Sequence, residues 1–568
     1  MIQLAPTQMP GVRVGLALFL ASLAPTHHLD PILASRTSSG PGLSAPYAPL
    51  WQEIRGTDRL LKALGQWLPR LMGDLGNVNL SKNPEFSELL GDLHIAWNRR
   101  EEDRRRIQEG LLDLQGGLLA KLASLPLDTR PSRGERTALK ALDQALAGQM
   151  DHEARRWLAN ETLLLEEQQP AVRRAAAARL LAADYRRSQG VGGAPLLPLL
   201  HAAKSTDPLV RTTALAALEG TNDDTVHLFF LRELERALVP ANEKESPNLA
   251  TRHLESHFSK VELEVESRAA KPINHFCRRL LPAEDWRVAL VALEVSKGLP
   301  RVWAMPPLIE ALGVWKERME TEGGGRRVAY ALADELRERT GRALGLHPDR
   351  WQKLWKAVQA GDLTLEDGAA QARAVSSAAF FGLRPDTDRV TFVLDRSGSM
   401  DTAFGRTTQA GAKNRPGWSR YREAVEQLLH FVESLGEKAK FNVVLFDGNS
   451  SIWRSKLQEA TPQSLKAVRT WLLRRKPDGG TNLREGVMRA LHVGRAGEPD
   501  MRKLEADTII VLCDGQTNSG SGWVRPFLER TQAHTRLMFH AVQIGGAGDG
   551  TLKLLSEGTG GQLVLVEE

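Results

Sequence analysis

A series of short apolar runs, separated by helix-length segments, constrains the C-terminal third of this chain more than any other feature. Residues 390–395, 441–447, 508–514, 537–544 and 562–566 are each dominated by Val, Ile, Leu and Phe. Each is too short for a globular helix, and each is apolar throughout rather than alternating. Strands with no polar face are buried on both sides, and alternation with helices places them in a parallel sheet. Residues 419–435 carry an amphipathic helical pattern. Residues 461–476 open on Thr461 and Pro462, a hydroxyl cap followed by proline at the first helical position. Another helix starts at Thr481, with Glu485 in its first turn. Residues 451–454 suit a short edge strand. The expected architecture is a doubly wound α/β domain over residues 388–568.

Two of the runs end in aspartate where chemistry is expected, because open α/β sheets bind ligands at the carboxyl ends of their strands. Asp395, Ser397 and Ser399 stand at alternate positions around Gly398, so three oxygens can converge after one strand. Gly479 and Gly480 lead to the hydroxyl of Thr481, and Asp514 closes another strand. An all-oxygen set with neutral hydroxyls suits a hard cation, Mg²⁺ or Mn²⁺. The order Asp-x-Ser-x-Ser, distant Thr, distant Asp resembles the metal-ion-dependent adhesion site of von Willebrand factor type A domains, whose Rossmann-like fold matches the expected one. The resemblance implies direct cation contacts from Asp395, Ser397 and Ser399. It leaves Thr481 and Asp514 to bind directly or through water. It also implies that a partner carboxylate completes the coordination, and that the last helix of the domain moves as Asp514 changes its contact. Residues 401–418 form a loop beside the site.

The preceding region is different. From Trp51 to about residue 360, Leu and Ala recur at three- and four-residue spacing, with little strand-like alternation. Residues 169–181 and 207–218 share an Asp/Gln, Val-Arg and Ala/Leu pattern that 285–293 echoes as Asp-Trp-Arg-Val, whereas residues 195–203 and 306–312 share a Pro-rich start followed by Leu-Leu or Leu-Ile. These resemble the second and first helices of HEAT repeats, in which small residues let stacked helix pairs share one core. The helical region is placed at 49–360, with a linker at 361–387. Trp351 and Trp355 lie one turn apart and are expected to close its end rather than bind a ligand.

Composition narrows the function. A net charge of +6 over 568 residues, without a dense basic stripe, gives no support for nucleic-acid binding. Two cysteines, Cys277 and Cys513, permit no disulfide framework and no cysteine-rich zinc site. Arg13 and the apolar stretch 14–24 fit a signal peptide over residues 1–24, followed by a Pro/Ser/Gly linker at 25–48. The stretch is too short to span a bilayer, so the expected protein is exported and has no membrane span after cleavage. No Walker A, His-Glu-x-x-His or Gly-x-Ser-x-Gly pattern occurs; His430 and His540 fall inside expected core elements and read as structural, and His492 is a lone histidine on a helix near the site. The expected function is therefore non-enzymatic. It is metal-dependent recognition of an acidic group on a partner protein, for adhesion or scaffolding. The alternative is an intracellular assembly factor working with an AAA+ ATPase, against which a cleaved N-terminus counts.

Overall fold

A computed structural model describes residues 101–568, apart from 125–131, 148–151, 165–168, 189–194, 239–251, 366–378, 405–417, 495–498, 516, 547 and 567–568. The expected signal peptide and 25–48 linker, the expected start of the helical region and most of the 401–418 loop lie outside the described residues. The chain forms two compact units, Met1–Thr221 and Asn222–Glu568.

The described part of the first unit is helical. It contains α1 (Glu101–Ser124), α2 (Arg133–Ala147), α3 (His152–Trp157), α4 (Ala171–Ser188), α5 (Leu196–Ala202) and α6 (Pro208–Leu218). Helix α4 buries Ala175, Ala176, Ala177 and Ala178 completely. Its partner α1 approaches so closely that a Cβ on Gly116 would lie 1.9 Å from the Val172 carbonyl oxygen, so only glycine fits there. The Arg173 guanidinium bonds both oxygens of Asp113 at 2.8 and 2.6 Å, fixing the register of the two helices.

The second unit continues with α7 (Asp224–Leu238), α8 (Arg252–Ser259), α9 (Ala270–Leu280), α10 (Trp286–Ser296), α11 (Arg301–Thr321), α12 (Arg326–Thr340) and α13 (Pro348–Ala360). The acid that starts the segments at 207 and 285 is a helix cap. Asp207 accepts from the backbone N–H groups of Leu209 and Val210, and Asp285 from that of Arg287. The Pro-Leu-Ile segment at 306–312 does not begin a helix. Pro306 and Pro307 lie inside α11. Proline at 307 leaves the carbonyl of Trp303, four residues back, without its helical donor. The Asn274 side chain of α9 supplies the missing bond at 2.5 Å. Trp351 is fully buried and donates to the Gly345 carbonyl at 2.8 Å, and Trp355 is also buried, so neither forms a ligand platform.

The α/β part follows in the same unit. Its strands are β1 (Arg389–Asp395), β2 (Lys440–Phe446), β3 (Ser450–Ile452), β4 (Gln458–Glu459), β5 (Thr508–Cys513), β6 (Met538–Ile544) and β7 (Leu563–Val566). Their order is β3-β2-β1-β5-β6-β7, with β4 also on β2. β3 and β4 run antiparallel at the edge, and the other pairings are parallel. Helices α14 (Arg420–Leu435) and α15 (Pro462–Leu473) cover one face. Helices α16 (Leu483–Ala490), α17 (Val524–Thr535) and α18 (Thr551–Glu557) cover the other. Val390, Phe392 and Leu394 enter the first core and Val393 the second, which is why β1 carries no polar face. Thr461 caps α15 as expected. Asn482, rather than Thr481, caps α16.

The division between the compact units, at Thr221/Asn222, falls inside the helical region. Within the second unit a polar junction joins α10, α12 and the amino end of the sheet. Arg287 donates to the Leu504 carbonyl at 2.6 Å and Arg327 to the Asp507 carbonyl at 2.5 Å. The Arg326 N–H donates to Asp388 at 3.1 Å, and Thr387 donates to the Asp507 carboxylate at 2.6 Å. Burial, and then the neighbouring Asp388 carboxylate, push Asp507 up to about 6. A carboxyl raised in the folded state binds protons that the unfolded chain has already released. Asp507 therefore costs stability in full above pH 6, and that cost disappears as the pH falls towards 4. Asp507→Asn should accordingly flatten the rise in urea stability between pH 7 and pH 5 relative to the parent. Parallel curves for the two proteins would show that Asp507 titrates normally.

Candidate metal centre

β1 lies between β2 and β5 at the point where the chain reverses its winding direction, so loops from both sides converge beyond Asp395. Residue pairing places Asp395 opposite Phe446, and Leu394 opposite Leu512. Cys513 and Asp514 follow Leu512 and come level with Asp395. Carboxylate oxygens of Asp395 and Asp514 and the Cys513 sulfur lie within 4.8 Å of one another.

Asp395 is fully buried. Its Oδ1 accepts from the Ser397 backbone N–H at 2.7 Å, and its Oδ2 has no hydrogen-bond partner. An unpartnered carboxylate oxygen in a buried position is costly. Burial pushes the acid up to about 6 despite the bonds from Ser397 and Cys513, and Asp514 raises it further. The Ser397 and Ser399 hydroxyls lie 3.0 Å apart, on the turn that starts the 3₁₀ segment Gly398–Asp401. Burial, and then the Asp395 carboxylate, raise the Cys513 thiol, so it remains protonated at neutral pH and donates towards the acids.

Two backbone bonds tie the glycine loop before Thr481 to this turn. The Gly398 N–H donates to the Gly479 carbonyl at 3.1 Å, and the Asp478 N–H to the Arg396 carbonyl at 2.8 Å. Thr481 is itself buried, and its carbonyl accepts from the Asn518 N–H at 2.9 Å, which links it to the loop after β5. Arg396 turns away from the acids to bond Asp447 and the Lys476 carbonyl. The described ends of the 401–418 loop are pinned, because Phe404 donates to the Trp418 carbonyl and Arg420 to the Thr402 carbonyl.

Two participants carried no sequence signal for this role. Arg420, in the first turn of α14, holds its guanidinium 3.8 Å from Asp514, and both side chains are largely buried. Cys513 reads from sequence as a small core residue, and only the strand register places its sulfur among the acids. None of the three histidines belongs to this cluster, and His430 does not take the core place expected of it. His430 is exposed, His540 accepts from the Gln562 N–H at 3.1 Å, and His492 lies beyond the end of α16.

The donor set fits a hard divalent cation. A buried, partnerless carboxylate oxygen lies next to two adjacent hydroxyls and a second acid, and a cation would supply the missing partner. Comparison with known proteins agrees at the level of the domain. Residues 418–565 match the von Willebrand factor type A domain family. That span includes Thr481 and Asp514 and begins after Asp395, Ser397 and Ser399. The chain is 32% identical to human inter-alpha-trypsin inhibitor heavy chain H3 over 157 residues, 27% of this chain and 15% of that protein. It is 31% identical to the Pongo abelii H3 chain over 157 residues, 27% and 16% respectively. It is 26% identical to human heavy chain H4 over 167 residues, 29% and 16% respectively. The chain thus spans about one-sixth of the length of these relatives.

Proposed function

We propose that this chain, whose residues 418–565 match the von Willebrand factor type A domain family, is a non-enzymatic, metal-dependent binding protein. Asp395, Ser397, Ser399, Thr481 and Asp514 hold Mg²⁺ or Mn²⁺, and the bound cation recognises an acidic group on a partner protein. The observation that carries this reading is the buried Asp395 oxygen without a partner, beside the paired serine hydroxyls. The cation supplies a positive centre to which a partner carboxylate can bind. Asp395 provides the fixed negative charge, and Ser397 and Ser399 provide neutral oxygens that leave the centre net positive. Arg420 holds Asp514 partly neutralised, which limits how much charge Asp514 contributes. The HEAT-like helices serve as a scaffold. The export-type segment 1–24 argues for a place outside the cytoplasm. Among the described residues no helix is long and apolar enough to cross a membrane.

The test is a pull-down from native extract in Mg²⁺, in chelator, and with Asp395→Ala in Mg²⁺. A partner set retained only by the parent in Mg²⁺ is expected, and an identical set in all three would sink the reading. Arg420→Gln removes a positive charge that competes for Asp514. It should tighten Mg²⁺ binding about three- to tenfold in calorimetry, the scale of one partly screened charge. Weaker binding would show instead that Arg420 supports the site.

A further inference from the structure

The structure holds a second feature that the metal site does not use. A cleft of about 670 Å³ opens along α16, lined by Arg484, Arg489, Lys503 and Arg530, with Met488 and Val493 contributing apolar surface. Arg484 and Arg489 are exposed, and neither has a carboxylate partner among the described residues. Among the described residues three acids stand near these cations, Glu485, Asp500 and Glu505, the last acting on His492 at the cleft wall. Glu485 lines the cleft and accepts from Ser450, and Asp500 pairs with Lys503 at 2.8 Å. The excess of positive charge, concentrated in a concave surface, favours an anionic ligand.

The cleft also adjoins the metal centre. Asn482 and Ser519 line it, and their chain neighbours Thr481 and Asn518 are joined by the 2.9 Å backbone bond between the two loops. Its chemistry distinguishes between anions. Asn482 caps α16 with its own side chain, so recognition rests on side chains rather than on a cradle of free backbone N–H groups such as phosphates use. Glu485 would repel a densely charged polyanion, whereas Met488 and Val493 offer apolar contact. These features suit a peptide in which carboxylates alternate with apolar residues.

We propose that this cleft binds an acidic peptide segment of the partner protein, next to the cation that takes one of the partner's carboxylates. The proposal deepens the metal-dependent reading by adding a second acidic contact, but the cleft contact itself needs no cation. The probe is a fluorescein-labelled peptide of alternating Glu and Leu, measured by anisotropy on the full chain at low salt. Three conditions separate the two readings: Mg²⁺, chelator, and Asp395→Ala. Binding should persist in all three, weaken with added NaCl, and fall at least tenfold in Arg484→Glu/Arg489→Glu. The exposed pair Lys204→Glu/Arg211→Glu, with the same change in net charge, should bind like the parent. Binding no tighter than to a Ser/Gly peptide of equal length overturns the proposal. So does equal loss in both double variants, or displacement by tripolyphosphate at lower concentration than by unlabelled peptide. Loss of binding in chelator alone would assign the peptide to the metal site and leave the cleft without a role.

Discussion

Asp395→Asn should make the cation-free protein more stable and the Mg²⁺-loaded protein less stable than the parent. In chelator the parent holds a fully buried carboxylate with one oxygen unpartnered, close to a second acid. Removing one partner's charge from such a place relieves desolvation and repulsion. Asparagine keeps the shape and the acceptor for the Ser397 N–H but adds amide hydrogens that need partners. A net gain of about 1–2 kcal/mol is expected, smaller than the full cost of a buried charge. Mg²⁺ reverses the order. A ligand that binds only the folded state stabilises it by about 2.7 kcal/mol at a hundred times its dissociation constant. The variant, without the charged oxygen, should gain little of this. Thermal unfolding of both proteins in chelator and in Mg²⁺ would therefore give curves that exchange order. If Mg²⁺ raises both melting temperatures equally, Asp395 does not hold the cation.

Arg327→Ala should cost about 2–3 kcal/mol in urea unfolding, below the range for breaking a fully buried charge pair because the guanidinium is half-buried. The guanidinium donates to the Asp507 carbonyl and lies over the Trp286 ring, 4.9 Å from its centroid. Burial draws its basicity down to about 10, still far above neutral pH, so it remains charged. Removing it leaves the Asp507 carboxylate, already raised by the neighbouring Asp388, with less compensation and takes a packed side chain from Trp286. Arg525→Ala, at an exposed position in α17, should cost less than about 0.5 kcal/mol. A similarly small loss at Arg327 would mean that the junction is bridged by water and that the α/β part stands alone.

How far the sequence could be read depends on the range of the interactions involved. The strands of the α/β part were legible because burial on both faces leaves a continuous apolar run, and Thr461 and Pro462 announced their helix locally. The Asp-x-Ser-x-Ser turn was equally local: its three residues lie within five positions, and a short turn brings them together. Asn482 displaced Thr481 as the cap because two adjacent polar residues compete for one role, and only the backbone bond from Asn518 to Thr481 decides between them. The two prolines at 306 and 307 suggested a helix start, since nothing nearby in sequence reveals that Asn274 replaces the lost donor.

The candidate metal centre followed the same division. Its five oxygen-bearing residues were proposed from order and spacing, and the strand register brings two of them, Asp395 and Asp514, side by side. Arg420 and Cys513 entered only through three-dimensional packing, one across a loop and the other across a strand pair. The junction between helices and sheet in the second unit was also beyond the sequence, because it rests on contacts such as Arg287 to Leu504 and Arg327 to Asp507, 217 and 180 positions apart. The sequence by itself determined the alternation of buried strands and helices and the turn that carries the first three candidate ligands, since these depend on near neighbours. Tertiary structure alone decided which charges face one another, because pairing between distant segments depends on how the sheet and helices pack.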